Sequence, residues 1–427
     1  MATLPASVSN PRIQTLDIVR GVAVMGILAM NIVAFAMPFQ AYMNPLATGA
    51  VSQADFVSWL FSFIFVDGKM RGLFSFLFGA SMLLVIEKAG GSGQSPASLH
   101  FRRMVWLLVF GLIHLYLIWF GDILVGYALI GMVAWLFRKL SPRALICWGI
   151  GLLVVQLLVF SGLAFATFEL SQAAAAPGAD PAMVREWQAM QRQFGALTPQ
   201  ALAEQVRIYG QGGYGAVLSD RLAHHATAPI KGVLLFGWET LGYFLFGMAA
   251  LKTGFLTGGW SRRAYRKSVL IGFGIGIPAY GLLAWVVARE AFSVPMVFGI
   301  VMGATVPFRP LMVVAVAALI ILLTQQGGAL VERIAATGRA AFTNYLGTSL
   351  IMTTLFYGYG FSLFGTMGRA ELWIVVVAMW AVMLAWSKPW LDRFQYGPLE
   401  WLWRSLARGK VQPLRKMPPA EHVPAGA

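Results

Sequence analysis

A single cysteine, Cys147, occurs in the chain, inside an apolar run, so an internal disulfide and a cysteine-based zinc site are both excluded. It reads as a small buried hydrophobe. Charge is also scarce: 11% of the 427 residues are charged and 58% are hydrophobic, against roughly a quarter charged in soluble domains. A soluble fold has nowhere to put that apolar surface. The long apolar runs lack polar alternation, which excludes a β-barrel and leaves helices as the way across a bilayer. The glycine-rich piece "GFGIGIP" follows no strand and does not fit a phosphate-binding loop. No cleavable signal is expected, because Met1 to Asn10 is polar and the first apolar run, Ile18 to Phe39, is too long for a signal core. No internal repeat is evident, which weakens an inverted-repeat transporter reading.

What is present is a chain of about ten spanning segments by the hydropathy rule. They are Leu16 to Met37, Phe56 to Ile86 (long enough for a kinked or re-entrant pair), Met104 to Phe120, Ile123 to Phe137, and Ala144 to Phe168. The second half gives Gly232 to Leu251, Ser268 to Ala288, Val294 to Leu323 with a break at Pro307 to Pro310, Ala341 to Phe364, and Leu372 to Leu391. The expected fold is all-α, a polytopic transmembrane bundle. Its parts are an N-terminal membrane half (1–170), an extracytoplasmic helical loop (171–229), a C-terminal membrane half (230–408) and a disordered cytoplasmic tail (409–427). The loop reads equally as a lid over a substrate cleft or as a plain connection.

The formal charge of +15 does not indicate nucleic acid, because Arg and Lys gather at alternate ends of the apolar runs. One set of ends holds Arg12, Arg20, Arg102, Arg103, Arg138, Lys139, Arg262, Arg263, Arg333 and Arg339; the other holds few. That asymmetry predicts ten passes with both termini cytoplasmic.

Ionisable residues within apolar runs are costly and therefore informative. Asp17 and Arg20 stand at i and i+3, either a snorkelling anchor pair or part of a site that also takes in Asn31. Asp67, Lys69 and Arg71 are flanked by Gly68 and Gly72, which permit a broken helix able to seat a phosphate or carboxylate; otherwise they belong to a solvated loop. His114 lies about 16 Å along a helix from Arg103 at 1.5 Å per residue. A neutral imidazole at that depth suits a general base, with Asp122 or Asp67 fixing its tautomer. Asp122 lies further along the same rod, so contact with His114 requires a bend. Glu239, Arg339, Thr343, Asn344 and Tyr345 complete the candidate substrate-binding set, although Ser and Thr in "TNYLGTS" also join helices in lipid. No metal site is expected.

The segments "LDIVRGVAVMGILAMNI", "DGKMRGLFSFLFGAS", "GRAAFTNYLGTS" and "GPLEWLWR" together resemble the YeiB-like family of bacterial inner-membrane proteins over nearly the whole chain. That family is grouped with the transmembrane acyltransferases, whose glycan-acetylating members begin with an LDGLRG-like motif, matched by Leu16 to Gly21. They also carry an Arg, ten residues, then a catalytic His, matched in spacing by Arg103 and His114. Where those enzymes often have a histidine late in the first span, this chain has Asn31. The resemblance implies an acyltransferase moving an acyl group from a cytoplasmic thioester, acyl-CoA, to a glycan or small-molecule acceptor outside. His114, Asp122 and Asp67 would be its catalytic groups, and Arg103, Lys69 and Arg71 would hold the donor's phosphates. A transporter of a small solute or lipid is the alternative. The other partners expected are the lipid bilayer and, as an open option, a second copy in a homodimer.

Overall fold

The computed structural model describes residues 14–91 and 95–416; Met1 to Asn10, Arg12 and the tail beyond residue 416 lie outside the described residues. The helices, in order, are α1 (Gln14–Ala36), α2 (Gln53–Phe65), α3 (Lys69–Gly91), α4 (Pro96–Ile113), α5 (Leu124–Ala134), α6 (Pro142–Ala175), α7 (Pro181–Phe194) and α8 (Pro199–Gln205). They continue as α9 (Tyr214–His225), α10 (Ala228–Lys252), α11 (Arg262–Arg289), α12 (Arg309–Thr324), α13 (Ala329–Arg339), α14 (Ala341–Phe356), α15 (Arg369–Arg393) and α16 (Pro398–Arg408). Among the described residues there is no strand, only an isolated bridge between Phe394 and Arg415.

Helix starts follow local chemistry. Ser95, Ser141, Asp180 and Thr198 each cap the helix behind them through a side-chain oxygen, and each is followed by a proline. Proline's missing N–H costs nothing in a first turn, and the capping oxygen takes up an orphan donor.

Among the described residues seven helical segments, with Gln53–Gly91 taken as one, are long and apolar enough to cross a membrane, or eight when Val294–Ala304 and Arg309–Thr324, bent by 51°, count as one broken span. The last two of the ten expected segments are shorter: Leu124–Phe137 and the 16-residue α14. The outer surface is hydrocarbon-like, with Leu136, Phe165, Leu270 and Ile374 all more than two-thirds exposed. Cys147 is on that exposed surface, not in the core as expected; a small apolar side chain is as well placed against lipid as against protein. Inside, the order inverts: Lys69, His114 and Glu239 have no exposed surface at all. Such a distribution requires a bilayer as solvent.

Glycines set the closest helix crossings. A Cβ at Gly247 of α10 would overlap the Phe76 carbonyl, and one at Gly79 of α3 would overlap the Phe244 backbone. Without side chains between them the backbones touch, the contact that drives helix association in lipid. Gly247→Leu should therefore abolish recovery of monodisperse protein. Gly274→Leu on α11, where a Cβ meets nothing within 4 Å, should be recovered as wild type in the same size-exclusion experiment.

Of the tail expected from Gly409 onward, residues 409–416 run back beside residues 393–395. The Gln395 N–H donates to the Leu414 carbonyl at 2.8 Å, and the Trp401 indole donates to the Gln412 carbonyl at 2.7 Å.

Candidate functional site

A cavity of about 1180 Å³ occupies the bundle, walled by α1, α3, α5, α10 and the break before α12. Residues 189–228 of the long polar segment form its roof: Arg192, Phe194, Tyr209, Asp220, His224 and His225 all line it. Of the two readings of that segment, the roof is what is observed. It is fastened at several points, with Leu197 N–H donating to the Ala47 carbonyl (2.9 Å), Gln40 Nε2 to the Arg192 carbonyl (2.8 Å) and Gly358 N–H to the Tyr209 carbonyl (2.7 Å). His225 stacks on Phe120 with ring centroids 4.6 Å apart. Burial holds the His225 imidazole below its ordinary pKa, so a neutral ring is favoured there.

His114 sits one layer behind the cavity wall. At its position α4 gives way to a π-helical turn, His114–Ile118, and the chain then leaves the helix at Trp119 in an extended conformation. This is the bend that contact with Asp122 requires. The reversal brings Asp122 Oδ2 to 2.7 Å from His114 Nδ1, while Oδ1 accepts from the Val125 N–H at 2.8 Å and caps α5. The wider π turn is held from outside: Arg221, fully buried, donates to the Tyr116 carbonyl at 3.1 Å, and the Tyr214 hydroxyl donates to the Leu117 carbonyl at 2.7 Å. Single π turns of this kind are common at functional sites.

The imidazole packs against Tyr345 and Trp119, at 5.2 and 6.3 Å between ring centroids, and its Nε2 has no hydrogen-bond partner. Asn31 lines the cavity and also a small void of about 10 Å³ bounded by Tyr345 and Thr348. That void lies between the cavity wall and Tyr345, which touches the ring. The chemistry available is that of an oriented imidazole: Nδ1 is tied to a carboxylate, which leaves Nε2 free to take or give a proton.

Asp67 faces the cavity but forms no side-chain hydrogen bond with His114 or any other described residue, so Asp122 is the carboxylate that orients the ring. Glu239 is held between two cations: Arg71 donates to its Oε2 at 2.7 Å, and Arg309 donates to its Oε1 and, at 2.5 Å, to Thr305. Arg309 enters from the broken span. Its side chain lies against Gly68, where a Cβ would come within 2.6 Å of Nε; Gly68 has a φ of +72°, so glycine is required there twice over.

The three cations expected together are apart. Arg71 lines the cavity. Lys69 is fully buried, donating to the Phe63 carbonyl beneath the Tyr280 ring. Arg103 lies near the middle of α4, about three turns before His114, 4.1 Å from the Trp403 ring, and its carbonyl accepts from the Trp403 indole at 3.0 Å. A helix carries Arg103 and His114 along one rod about 16 Å apart, so both could meet only a long ligand. Asp17 and Arg20 pair at 3.0 Å, with Arg20 also reaching Ser81 at 2.6 Å. Arg339 ends α13 beside them, next to Gly338, which packs on the Asp17 carbonyl. Thr343 and Asn344 are structural ties: Thr343 Oγ1 donates to Glu400 at 2.6 Å, and Asn344 joins Thr337, Ser387 and Trp386. Tyr345 remains at the site, its hydroxyl accepting from the Ile123 N–H at 3.3 Å. Among the described residues no group of His, Cys, Asp and Glu could hold a metal ion.

Fold and cavity together define a polytopic α-helical membrane protein built around a roofed, charged internal chamber. The family follows from comparison. The chain is 34% identical to the uncharacterized protein YeiB of Escherichia coli (92% of this chain, 95% of that one) and 32% identical to the uncharacterized protein YxaH of Bacillus subtilis (97% and 99%). The family described as protein of unknown function (DUF418) matches residues 250–410. The chain belongs to this YeiB-like family. No solved structure matches it.

Proposed function

We propose that the protein is a transmembrane acyltransferase of the bacterial inner membrane, with both termini cytoplasmic and the roof outside, and that His114 is its general base. One observation carries the reading: a buried imidazole tied through Nδ1 to Asp122, with an unpartnered Nε2, next to a chamber large enough for a substrate. In the reaction, Nε2 takes the proton from an acceptor hydroxyl or amine as that atom bonds to the thioester carbonyl carbon. The carbon–sulfur bond then breaks, and the imidazolium returns the proton to the departing thiolate. The donor is acyl-CoA from the cytoplasm, and the acceptor is a glycan or small molecule that enters beneath the roof.

The test uses the chamber. Gly126 of α5 lines it, and a Cβ there meets nothing within 4 Å. Gly126→Leu would push a side chain into the space from a position where its Cβ meets no neighbour. Vesicles carrying the protein and supplied with radiolabelled acetyl-CoA should transfer label to a product. The Gly126→Leu protein should be recovered folded and transfer less label than wild type. Label transfer equal to wild type would remove the chamber from the reaction.

The transporter reading has its own support in two broken helices, at Asp67–Gly68 and Thr305–Phe308, meeting through Gly68 and Arg309. Flux of a labelled solute with no acylated product would favour it.

A further inference from the structure

The floor of the chamber gathers guanidinium groups, and one of them opens on the space. Arg71 and Arg309 line it and share Glu239. Asp67 lines it too, beside Gly68 and the Arg309 side chain. Arg369, 6% exposed, is an electrostatic neighbour of Asp67 and of the chamber-lining Tyr42, and its Nε and Nη2 have no partner. Guanidinium groups stay protonated in proteins. Arg369 also has Asp55 as an electrostatic neighbour, so three guanidiniums face three carboxylates, Glu239, Asp67 and Asp55, and what stays open is the part of the Arg71 guanidinium that Glu239 does not take. Other acidic groups at the chamber are engaged elsewhere: Asp122 with His114, Asp220 with Tyr209 and His224, and Glu204 with Arg207.

Guanidinium donors that open on an internal space form their strongest hydrogen bonds to an anion. The polar atoms to receive one are present. Arg71 has one Nη on Glu239, yet its side chain is 21% exposed, and it lines the chamber. Asn31, 7% exposed, lines the same space without a side-chain hydrogen bond among the described residues. Around these groups the walls are apolar, with Met30, Phe63, Phe160, Phe236 and Met302 all lining the space.

We infer that the chamber binds an anionic amphiphile, its phosphate or carboxylate headgroup taken by Arg71, Arg309 and Asn31 and its hydrocarbon chain lying along the aromatic and methionine wall. This assigns a chemical class to the acceptor and in that respect rests on the acyltransferase reading; the binding itself does not.

Protein in phosphatidylcholine nanodiscs, titrated with hexadecyl phosphate and followed by tryptophan fluorescence, tests it. Hexadecyl phosphate should bind saturably and at least about tenfold more tightly than hexadecanol, since charge-assisted bonds to arginine separate the two. Arg71→Gln should weaken it by a similar factor, with Arg71→Lys restoring part of the loss. His114→Gln should bind as wild type, so a failed acyl-transfer assay and a failed binding assay remain distinct results. Equal affinity for hexadecanol, or for the alkyl phosphate in wild type and Arg71→Gln, overturns the proposal. Inorganic phosphate binding as tightly as hexadecyl phosphate overturns the amphiphile in favour of a free-phosphate site. If Arg71→Gln does not fold, Asn31→Leu decides: unchanged affinity there overturns the headgroup site, since Asn31 lines the chamber as one of its proposed contacts.

Discussion

Asp122→Asn is expected to leave the protein folded and to lower acyl transfer by about 10²–10⁴-fold, the range that positioned acid–base groups contribute. The two oxygens of Asp122 do different work. Oδ1 caps α5 through the Val125 N–H, and Oδ2 faces His114 Nδ1. Asparagine retains a cap-competent oxygen, so the about 1 kcal/mol that a lost cap costs is not incurred. Its amide then presents a donor to Nδ1, which forces the imidazole into the tautomer with the proton on Nε2 and removes its capacity as a base. Asp122→Ala loses both functions and should be less stable as well as inactive. His114→Gln should match Asp122→Asn in rate, and the double variant should be no slower than either, because the two residues act as one unit. Single-turnover transfer of labelled acyl groups in vesicles measures all four. A double variant slower by the product of the single losses would mean that the pair does not operate together.

The sequence discloses this pair only in part. A histidine and an aspartate in one apolar segment signal cost, and cost signals function, but periodicity continues the helix straight through Tyr116 and keeps the two apart. The π turn that joins them depends on Arg221 and Tyr214, which lie in a distant polar segment and occupy the Tyr116 and Leu117 carbonyls. No local pattern encodes that. The spans were legible because they rest on length and hydropathy, properties of contiguous residues, and so were the breaks at Gly68 and Pro307. Placement of the cations was not. Lys69 and Arg71 are near neighbours in the chain, yet one is sealed against Tyr280 and the other opens on the chamber, because a helix turns neighbouring side chains to different faces. Arg309 was there to be found: it stands between two prolines in an apolar run, and the same rule that singled out Glu239 applies to it. Thr343 and Asn344 make the helix-joining contacts that a polar run in a span also allows, bonding Glu400, Thr337, Ser387 and Trp386.

Glu239→Gln should be the most destabilising single polar substitution in the protein. Its carboxylate is the one group that both Arg71 and Arg309 bond, and it has no exposed surface. Replacing a buried charge while its partners remain costs about 3–5 kcal/mol, because the partners are left uncompensated. Here there are two of them, brought close by the residue being removed, so like-charge repulsion adds to the loss. Gln can accept from one arginine through its carbonyl but must turn its amide donors toward the other. The break before α12 should open first, since Arg309 is pinned there by Glu239 and Thr305 and by its contact with Gly68. Thr305→Val removes only the neutral bond and should cost about 1 kcal/mol. The comparison is made by heating each detergent-solubilised variant and following the monodisperse fraction, with proteolysis at the 305–308 turn as the local readout. A Glu239→Gln protein as heat-resistant as Thr305→Val would show that the two guanidiniums are neutralised by something other than Glu239, the outcome an anion already resident in the chamber would produce. Extracting that anion by prolonged washing in zwitterionic detergent should then expose the missing instability.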